Sequence, residues 1–305
     1  MKNLVKLIAP AKINLVLAVG NKREDGFHEV NTIMHALALH DTLTMRRFEE
    51  EPNGQGLVIR FRCETSGGID PLEVPAEENI AYRAVVDLAH ELGRSTDETI
   101  DVSLSKVIPA QAGLGGGSSN AAAALLGAAM LWGINPDDER LRVVASRLGA
   151  DVLFFLHGGC TRLSGKGETF EANLTPRRGF VLLVRPNSGV STAQAYAAFD
   201  EKPEMPTDEY LAKLALYDTA DKVPLWNNMT AAACAVAPEV GEVLDWAHGL
   251  PGSPAVLLCG SGSAVAVLCD GFDDAVAYSV EADKRGWWTR ATSFARVGAS
   301  VVSAY

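Results

Sequence analysis

Between Val107 and Leu126 the chain reads VIPAQAGLGGGSSNAAAALL, with Gly113, Leu114, Gly115, Gly116 and Gly117 leading into Ser118, Ser119 and an alanine-rich run. Folding must remove more backbone entropy from a glycine than from an alanine, so this density needs a reason. A strand that ends in a glycine turn and enters a helix brings unpaired N–H groups and the positive end of the helix dipole to one point. Such a point attracts anions, and the glycines would let the backbone wrap a phosphate. Ser118 and Ser119 add hydroxyls at the first helical turn, as donors or as a metal contact. A serine-capped turn explains one or two glycines less expensively, but not four so readily.

Two familiar phosphate loops do not fit. A Walker A loop closes on Gly-Lys-Ser/Thr, and no lysine follows these glycines. The dinucleotide fingerprint would end here on Ser118, and a helical pattern stands where its acidic residue should close a second strand. No G-x-S-x-G occurs, which disfavours a serine hydrolase of that type. His35, His40, His90, His157 and His248 lack metal-ligand spacing and read as structural, so no protein-held metal is expected.

The loop needs elements to hold it. Lys12, Asn14, Val16 and Ala18 alternate with Ile13, Leu15, Leu17 and Val19, a period of two that puts Lys12 and Asn14 on one face of a strand. GNKREDG supplies a turn, FHEVNTIMHALAL a returning strand, and the polar EEEPNGQG separates these from a short strand at LVIRFRC. PAEENIAYRAVVDLAHELG predicts a helix stopped by Gly93, TIDVSLSKVIP a strand that delivers the glycine loop. Helices follow from Asn120 to Gly133 and behind Pro136. In the second half FVLLVRP reads as a buried strand and STAQAYAAFD as a helix capped by Ser191 or Thr192. EKPEMPTDEY reads as an exposed loop, NNMTAAACAVAPEVGEVLDWAHG as a helix, and PAVLLCGSGSAVAVLC as strand–loop–strand. A helix from Phe272 to Arg285 and a last strand near WWTRATSFARV complete the pattern. Without a strict βαβ repeat, the fold class is α+β in two layers.

The chain has 305 residues, more than one comfortable core, so two domains, or one large domain with an appendage, are expected, and 48% apolar content suffices to fill them. A formal charge of -11 argues against a nucleic-acid partner and means that any bound anion needs local donors. Cys63, Cys160, Cys234, Cys259 and Cys269 are odd in number, scattered and free of C-x-x-C, which reads as a reduced, cytoplasmic protein. Lys6, Lys12 and Asn14 interrupt the N-terminus too early for a signal peptide, and the apolar run from Ala121 to Ile134 is too short for a bilayer, so no membrane partner is expected. No pattern specifies an oligomeric state.

PAKINLVL, IPAQAGLGGGSSNAAAAL and CGSGSAVAVL together resemble the three motifs of the GHMP small-molecule kinases. APAKINLVLAVGNKREDGFHEVNTI, GLGGGSSNAAAALL, LGADVLFFLHGG and GKGE are similar to the branch of that superfamily that acts on 4-diphosphocytidyl-2-C-methyl-D-erythritol in the non-mevalonate isoprenoid route. The likeness is dense over residues 8–34, 106–126 and 148–168, thinner to about 268 and weak beyond. It implies a two-domain GHMP-kinase fold. Residues 1–158 would be an ATP-binding N-terminal domain of the type seen in a small-subunit ribosomal protein. Residues 159–305 would be a substrate-binding, ferredoxin-like α/β sandwich, with the site in the cleft between them.

The resemblance also implies roles. ATP with Mg²⁺ would phosphorylate the 2-hydroxyl of the methylerythritol unit, a reaction that asks for placement, charge neutralisation and a base. Asp151 in LGAD would be the base, since aspartates are ordinarily ionised at neutral pH. Lys12 would pair with it and stabilise negative charge, and Asn14 would orient the hydroxyl. Pro109 and Gly113 to Ser119 would cradle the phosphates, with Asn79 and Lys106 lining the nucleotide pocket. His28 would read the cytosine beside a stacking Phe27, and Gly260, Ser261 and Gly262 would form the third motif. Five positions depart from the pattern: Phe27 for tyrosine, Leu153 for proline, Asn228 and Thr230 for two acidic residues, and Cys259 for serine. The alternatives are a kinase of the same superfamily for homoserine or a mevalonate-type acid, a non-catalytic nucleotide or sugar sensor, and a dinucleotide-binding oxidoreductase.

Overall fold

The computed structural model describes residues 2–49 and 54–305, so half of the polar separator EEEPNGQG lies outside the described residues. The chain opens with two long strands, β1 (Leu4–Lys22) and β2 (His28–Glu49), then β3 (Leu57–Thr65), α1 (Ile80–Glu91), β4 (Glu98–Lys106) and α2 (Gly116–Trp132). Two short helices, α3 (Glu139–Leu148) and α4 (Ala150–His157), precede β5 (Cys160–Ser164), β6 (Thr169–Leu174) and β7 (Phe180–Arg185). Then come α5 (Thr192–Glu201), α6 (Asp208–Leu214), β8 (Trp226–Asn227), α7 (Thr230–Val236) and α8 (Pro238–His248). The chain ends with β9 (Ala255–Leu258), β10 (Val265–Cys269), α9 (Phe272–Asp283), β11 (Trp288–Ser293) and β12 (Ser300–Ala304).

The first sheet runs β12–β1–β2–β4–β3, with β5 on β2, β6 on β5 and β8 on β1. The pairs β3–β4 and β1–β8 are parallel and the others antiparallel. Its four strands from beyond residue 158 show that the chain returns to this sheet repeatedly, the last time at its C-terminal end. The second sheet, β11–β7–β10–β9, is antiparallel throughout.

Three apolar cores explain the texture of the sequence. On one face of the first sheet, Leu7, Leu43, Met45 and Ile100 pack against α1 to α4. Between the sheets, Ala11, Ile13, Leu15, Ile33 and Leu37 meet Val181, Leu183, Ala266 and Leu268. Beyond the second sheet, Leu182, Val184, Val265 and Val267 are covered by α5, α7, α8 and α9. Strands β7 and β10 are therefore buried on both faces, which is why FVLLVRP lacks alternation. Helix α2 is apolar nearly all round because it sits inside its own helical layer, and burial of alanines lets its neighbours approach.

Three expectations need correction. Helix α2 begins at Gly116, within the glycine run and not after Asn120. The single helix expected over NNMTAAACAVAPEVGEVLDWAHG is two, because Pro238 has no N–H to continue α7 and instead opens α8 at its first position. The last strand is not β11 but β12, which pairs with β1. All five cysteines are free thiols. Among the described residues no helix is long and apolar enough to cross a membrane.

Candidate active site

The ladder between β1 and β2 slips register between Pro10 and Lys12. The Lys12 N–H leaves it and donates to the carbonyl of Leu114 at 3.0 Å, tying the strand to the glycine loop. Bulges of this kind re-aim side chains. Here the Lys12 ammonium is buried, donates to Asn14 Oδ1 at 2.7 Å and lies 3.4 Å from the Asp151 carboxylate. Asn14 in turn donates to Thr32 Oγ1 at 2.8 Å, and that hydroxyl donates to the Val16 carbonyl. Asn14 thus serves Lys12 first and retains one amide hydrogen for a ligand. Asp151 sits in the first turn of α4, where the helix dipole favours a carboxylate.

The glycines have different jobs. Gly113 has φ +72°, and a Cβ there would lie 1.7 Å from the carbonyl oxygen of Cys259. It is glycine because the phosphate-type loop presses on the β9–β10 turn, a contact extended by Ala264 N–H donating to Ala112 O. Gly117 is neither left-handed nor closer than 3.6 Å to any neighbour, yet it lines the cavity. Adding a methyl group there would take space from a ligand and from nothing else. The first N–H groups of α2, at Gly116, Gly117 and Ser118, have no acceptor inside the helix by the geometry of a helix start.

These groups face a cavity of about 370 Å³ whose wall includes Lys12, Asn14, Pro109, Gly113 to Ser118, Asp151, Gly260 and Ser261. The other expected residues stand behind that wall or beside it. Asn79 caps α1, its Oδ1 accepting from Ala81 N–H at 3.0 Å. Lys106 is buried beneath the loop, 2.6 Å from Asp41 Oδ2 and 2.9 Å from Asn120 Oδ1. The Ser119 hydroxyl is buried without a partner. Gly262 packs on Leu258 and Val190. Phe27 is 56% exposed, and His28 is buried with Nε2 2.6 Å from Asp200 Oδ1.

Sequence reading missed four polar wall residues, Gln111, Lys166, Thr192 and Tyr196. Lys166 belongs to the GKGE stretch and sits with its ammonium 4.6 Å from the centre of the Phe27 ring. Tyr196 packs on His28 with ring centres 4.9 Å apart, so the Phe27–His28 corner adjoins the cavity through these two neighbours. Burial, helped by the charge of Asp151, pushes the Tyr196 hydroxyl up to about 12, so it stays protonated and able to donate. Thr192 and Tyr196 are four residues apart on α5, a spacing that puts them on one helix face.

The departures fall away from the reacting centre. Asn228 accepts from Val19 N–H at 2.9 Å and donates to the carbonyls of Val19 and Glu204, both at 2.7 Å. Both edges of an amide are used, which a carboxylate could not do. Leu153 packs against the helical core, and burial pushes the Cys259 thiol up to about 12, leaving it inert.

A lysine–aspartate pair shares one cavity wall with a glycine-rich helix start, and residues 79–159 match the family described as GHMP kinases N terminal domain. The chain is 35% identical over 280 residues to the 4-diphosphocytidyl-2-C-methyl-D-erythritol kinase of Mycobacterium tuberculosis, covering 89% of this chain and 84% of that one. It is 34% identical over 269 residues to the kinase of the same name from Desulfitobacterium hafniense, covering 87% of each. A crystal structure of a 4-(cytidine 5'-diphospho)-2C-methyl-D-erythritol kinase superposes with a TM-score of 0.70 at 32% identity, over 95% of this chain and 98% of that one. The homoserine kinase of Cytophaga hutchinsonii, at 18% identity and a TM-score of 0.69 over 99% of this chain and 98% of that one, shares the fold. The chain belongs to the 4-diphosphocytidyl-2-C-methyl-D-erythritol kinase family of GHMP kinases. It is a small-molecule kinase that uses ATP.

Proposed function

We propose that the chain transfers the γ-phosphoryl group of ATP to the 2-hydroxyl of 4-diphosphocytidyl-2-C-methyl-D-erythritol, a step of the non-mevalonate route carried out in the cytoplasm. The observation that carries this reading is the Lys12–Asp151 pair, 3.4 Å apart, in the same cavity wall as the start of α2. The phosphates lie against the N–H groups of Gly116 to Ser118, and the hydroxyl lies against Asp151. As the hydroxyl oxygen bonds to the γ-phosphorus and the bond to the β-phosphate oxygen breaks, Asp151 accepts the hydroxyl proton. Lys12, held by Asn14, stabilises the charge that develops and keeps the carboxylate in place.

Mg²⁺ chemistry is tested by the donor set. Among the described residues there is no cluster of three metal-ligating side chains. The wall offers one carboxylate, Asp151, and the hydroxyl of Ser118, with the unpartnered Ser119 hydroxyl next to it in the chain. That sparse set fits an ion that keeps water and leans on substrate phosphates. Ser118 would hold it together with the substrate phosphates, and it would neutralise phosphate charge when bound.

Lys166 and Tyr196 place a cation and a neutral donor toward the Phe27–His28 corner, which suits the diphosphate and base of the acceptor. In function, residues 1–158 are the ATP half and 159–305 the acceptor half, with Phe27 and His28 reaching the acceptor from the first, although β5, β6, β8 and β12 all belong to the first sheet. The test is ADP release by the purified protein with ATP, Mg²⁺ and the cytidylylated acceptor. Release that requires the acceptor and collapses in Asp151→Asn supports the reading. ATP binding without turnover would turn the search to other alcohols or to a sensor.

A further inference from the structure

Gln111 is a strained residue in the cavity wall. Its φ is +51°, in the left-handed region that side chains other than those of glycine and asparagine rarely occupy. Elsewhere in the same loop the left-handed positions, Gly113 and Gly115, are glycine. The strain is imposed by the backbone around it. The Gln111 carbonyl accepts from Val190 N–H at 3.3 Å and from Ser263 N–H at 3.2 Å, so one peptide joins the glycine loop, the segment before α5 and the β9–β10 turn.

Glycine would satisfy that geometry at no steric cost, so the long side chain needs its own explanation. It lies along Gly189: a Cβ at Gly189 would be 2.7 Å from Gln111 Oε1 and 3.1 Å from Gln111 Cβ. Gly189 itself has no left-handed φ, so its missing side chain makes room for Gln111. Among the described residues the exposed carboxamide has no hydrogen-bond partner in the chain. A flexible, unbonded amide has thus been kept at a strained site in the wall it shares with Thr192 and Tyr196, with its Oε1 beside Gly189 in the segment that leads into α5.

We infer that the Gln111 carboxamide is a specificity contact for the acceptor alcohol, donating a hydrogen bond to one of its oxygens and not to ATP. This rests on the reading above, in which ATP occupies the α2 side and the acceptor the α5 side. Steady-state kinetics with ATP, Mg²⁺ and 4-diphosphocytidyl-2-C-methyl-D-erythritol test it in two variants. Gln111→Met keeps length and backbone strain but removes the amide. Gln111→Gly removes both side chain and strain. In each, the KM for the acceptor rises roughly tenfold, as loss of one net hydrogen bond demands, while the KM for ATP stays within about twofold. The glycine variant keeps its thermal midpoint within about 2 °C, relief of strain offsetting the entropy of glycine. An acceptor KM unchanged in Gln111→Met, or an ATP KM raised as much as that of the acceptor, overturns the inference alone. Wild-type protein with no turnover of this acceptor overturns the functional reading and the inference with it.

Discussion

Lys12 and Asp151 meet at 3.4 Å although one comes from the first long strand and the other from the opening turn of α4. The contact depends on the bulge that turns the Lys12 N–H toward Leu114. It also depends on Asn14, whose Oδ1 accepts from the ammonium and whose amide is anchored by Thr32. The lysine end of the pair is thus fixed before any ligand enters.

Asp151→Asn removes the proposed proton acceptor and leaves a side chain of the same size. We expect kcat to fall by about 10² to 10⁴, the usual worth of a general base, with KM for ATP little changed. Coupled-assay kinetics with saturating acceptor decide this. An activity within a few fold of wild type would remove Asp151 from the role of base.

Gly117 and Gly113 separate ligand space from packing space. Gly117→Ala should fold with its thermal midpoint unchanged and bind ATP roughly tenfold or more weakly, since its Cβ meets only the Ile80 side chain at 3.6 Å. Gly113→Ala should lose about 2 to 4 kcal/mol of stability, because its Cβ collides with the Cys259 carbonyl at 1.7 Å in a left-handed conformation. Thermal melts and ATP titrations on both proteins give opposite patterns if the assignment is right.

Asp41 carries the loop from below. Its Oδ1 accepts from the N–H groups of Val107 and Ile108, at 2.7 and 2.9 Å, and its Oδ2 from Lys106 and Asn120, at 2.6 and 2.9 Å. In Asp41→Asn an amide NH₂ would face two donors, and the buried Lys106 would lose its counter-ion. A loss of about 3 to 5 kcal/mol is expected in urea unfolding. A stability close to wild type would show that the chain can rearrange around an unpaired Lys106.

His35 predicts a pH dependence. Its Nδ1–H donates to the Ala36 carbonyl at 2.9 Å, and its Nε2 accepts from Arg177 N–H at 2.9 Å. Burial, with the nearby Arg177 charge, lowers its pKa from 6.5 to about 4. Between those values the unfolded chain binds the proton and the folded chain does not. Stability is therefore full above about pH 6.5 and falls as pH drops toward 4, by on the order of 3 kcal/mol. Urea unfolding at pH 7, 5.5 and 4.5 should show this slope, and His35→Gln should flatten it.

Much of the local structure was legible. Period-two alternation placed Lys12 and Asn14 on one face, and the structure joins them by a hydrogen bond at 2.7 Å. The strand before the glycine loop and the helix behind it were also readable, because turn chemistry and helix starts act over a few residues. The first residue of α2 was misplaced since Gly116 and Gly117 are poor helix formers, and tertiary packing of the alanine-rich run carries the helix back through them. Lys166 and Tyr196 were overlooked as wall residues because nothing in GKGE or in a helical STAQAYAAFD says which face meets a cleft.

By itself, the sequence determined the glycine-rich loop that enters a helix, the strand that carries Lys12 and the α+β class, all consequences of local spacing and backbone freedom. Only the tertiary structure decided that Gly113 must be glycine because of Cys259, that Lys106 pairs with Asp41 beneath the loop, and that β12 closes onto β1. Those contacts join residues far apart in the chain, and their energies come from burial and close approach, which no local pattern encodes.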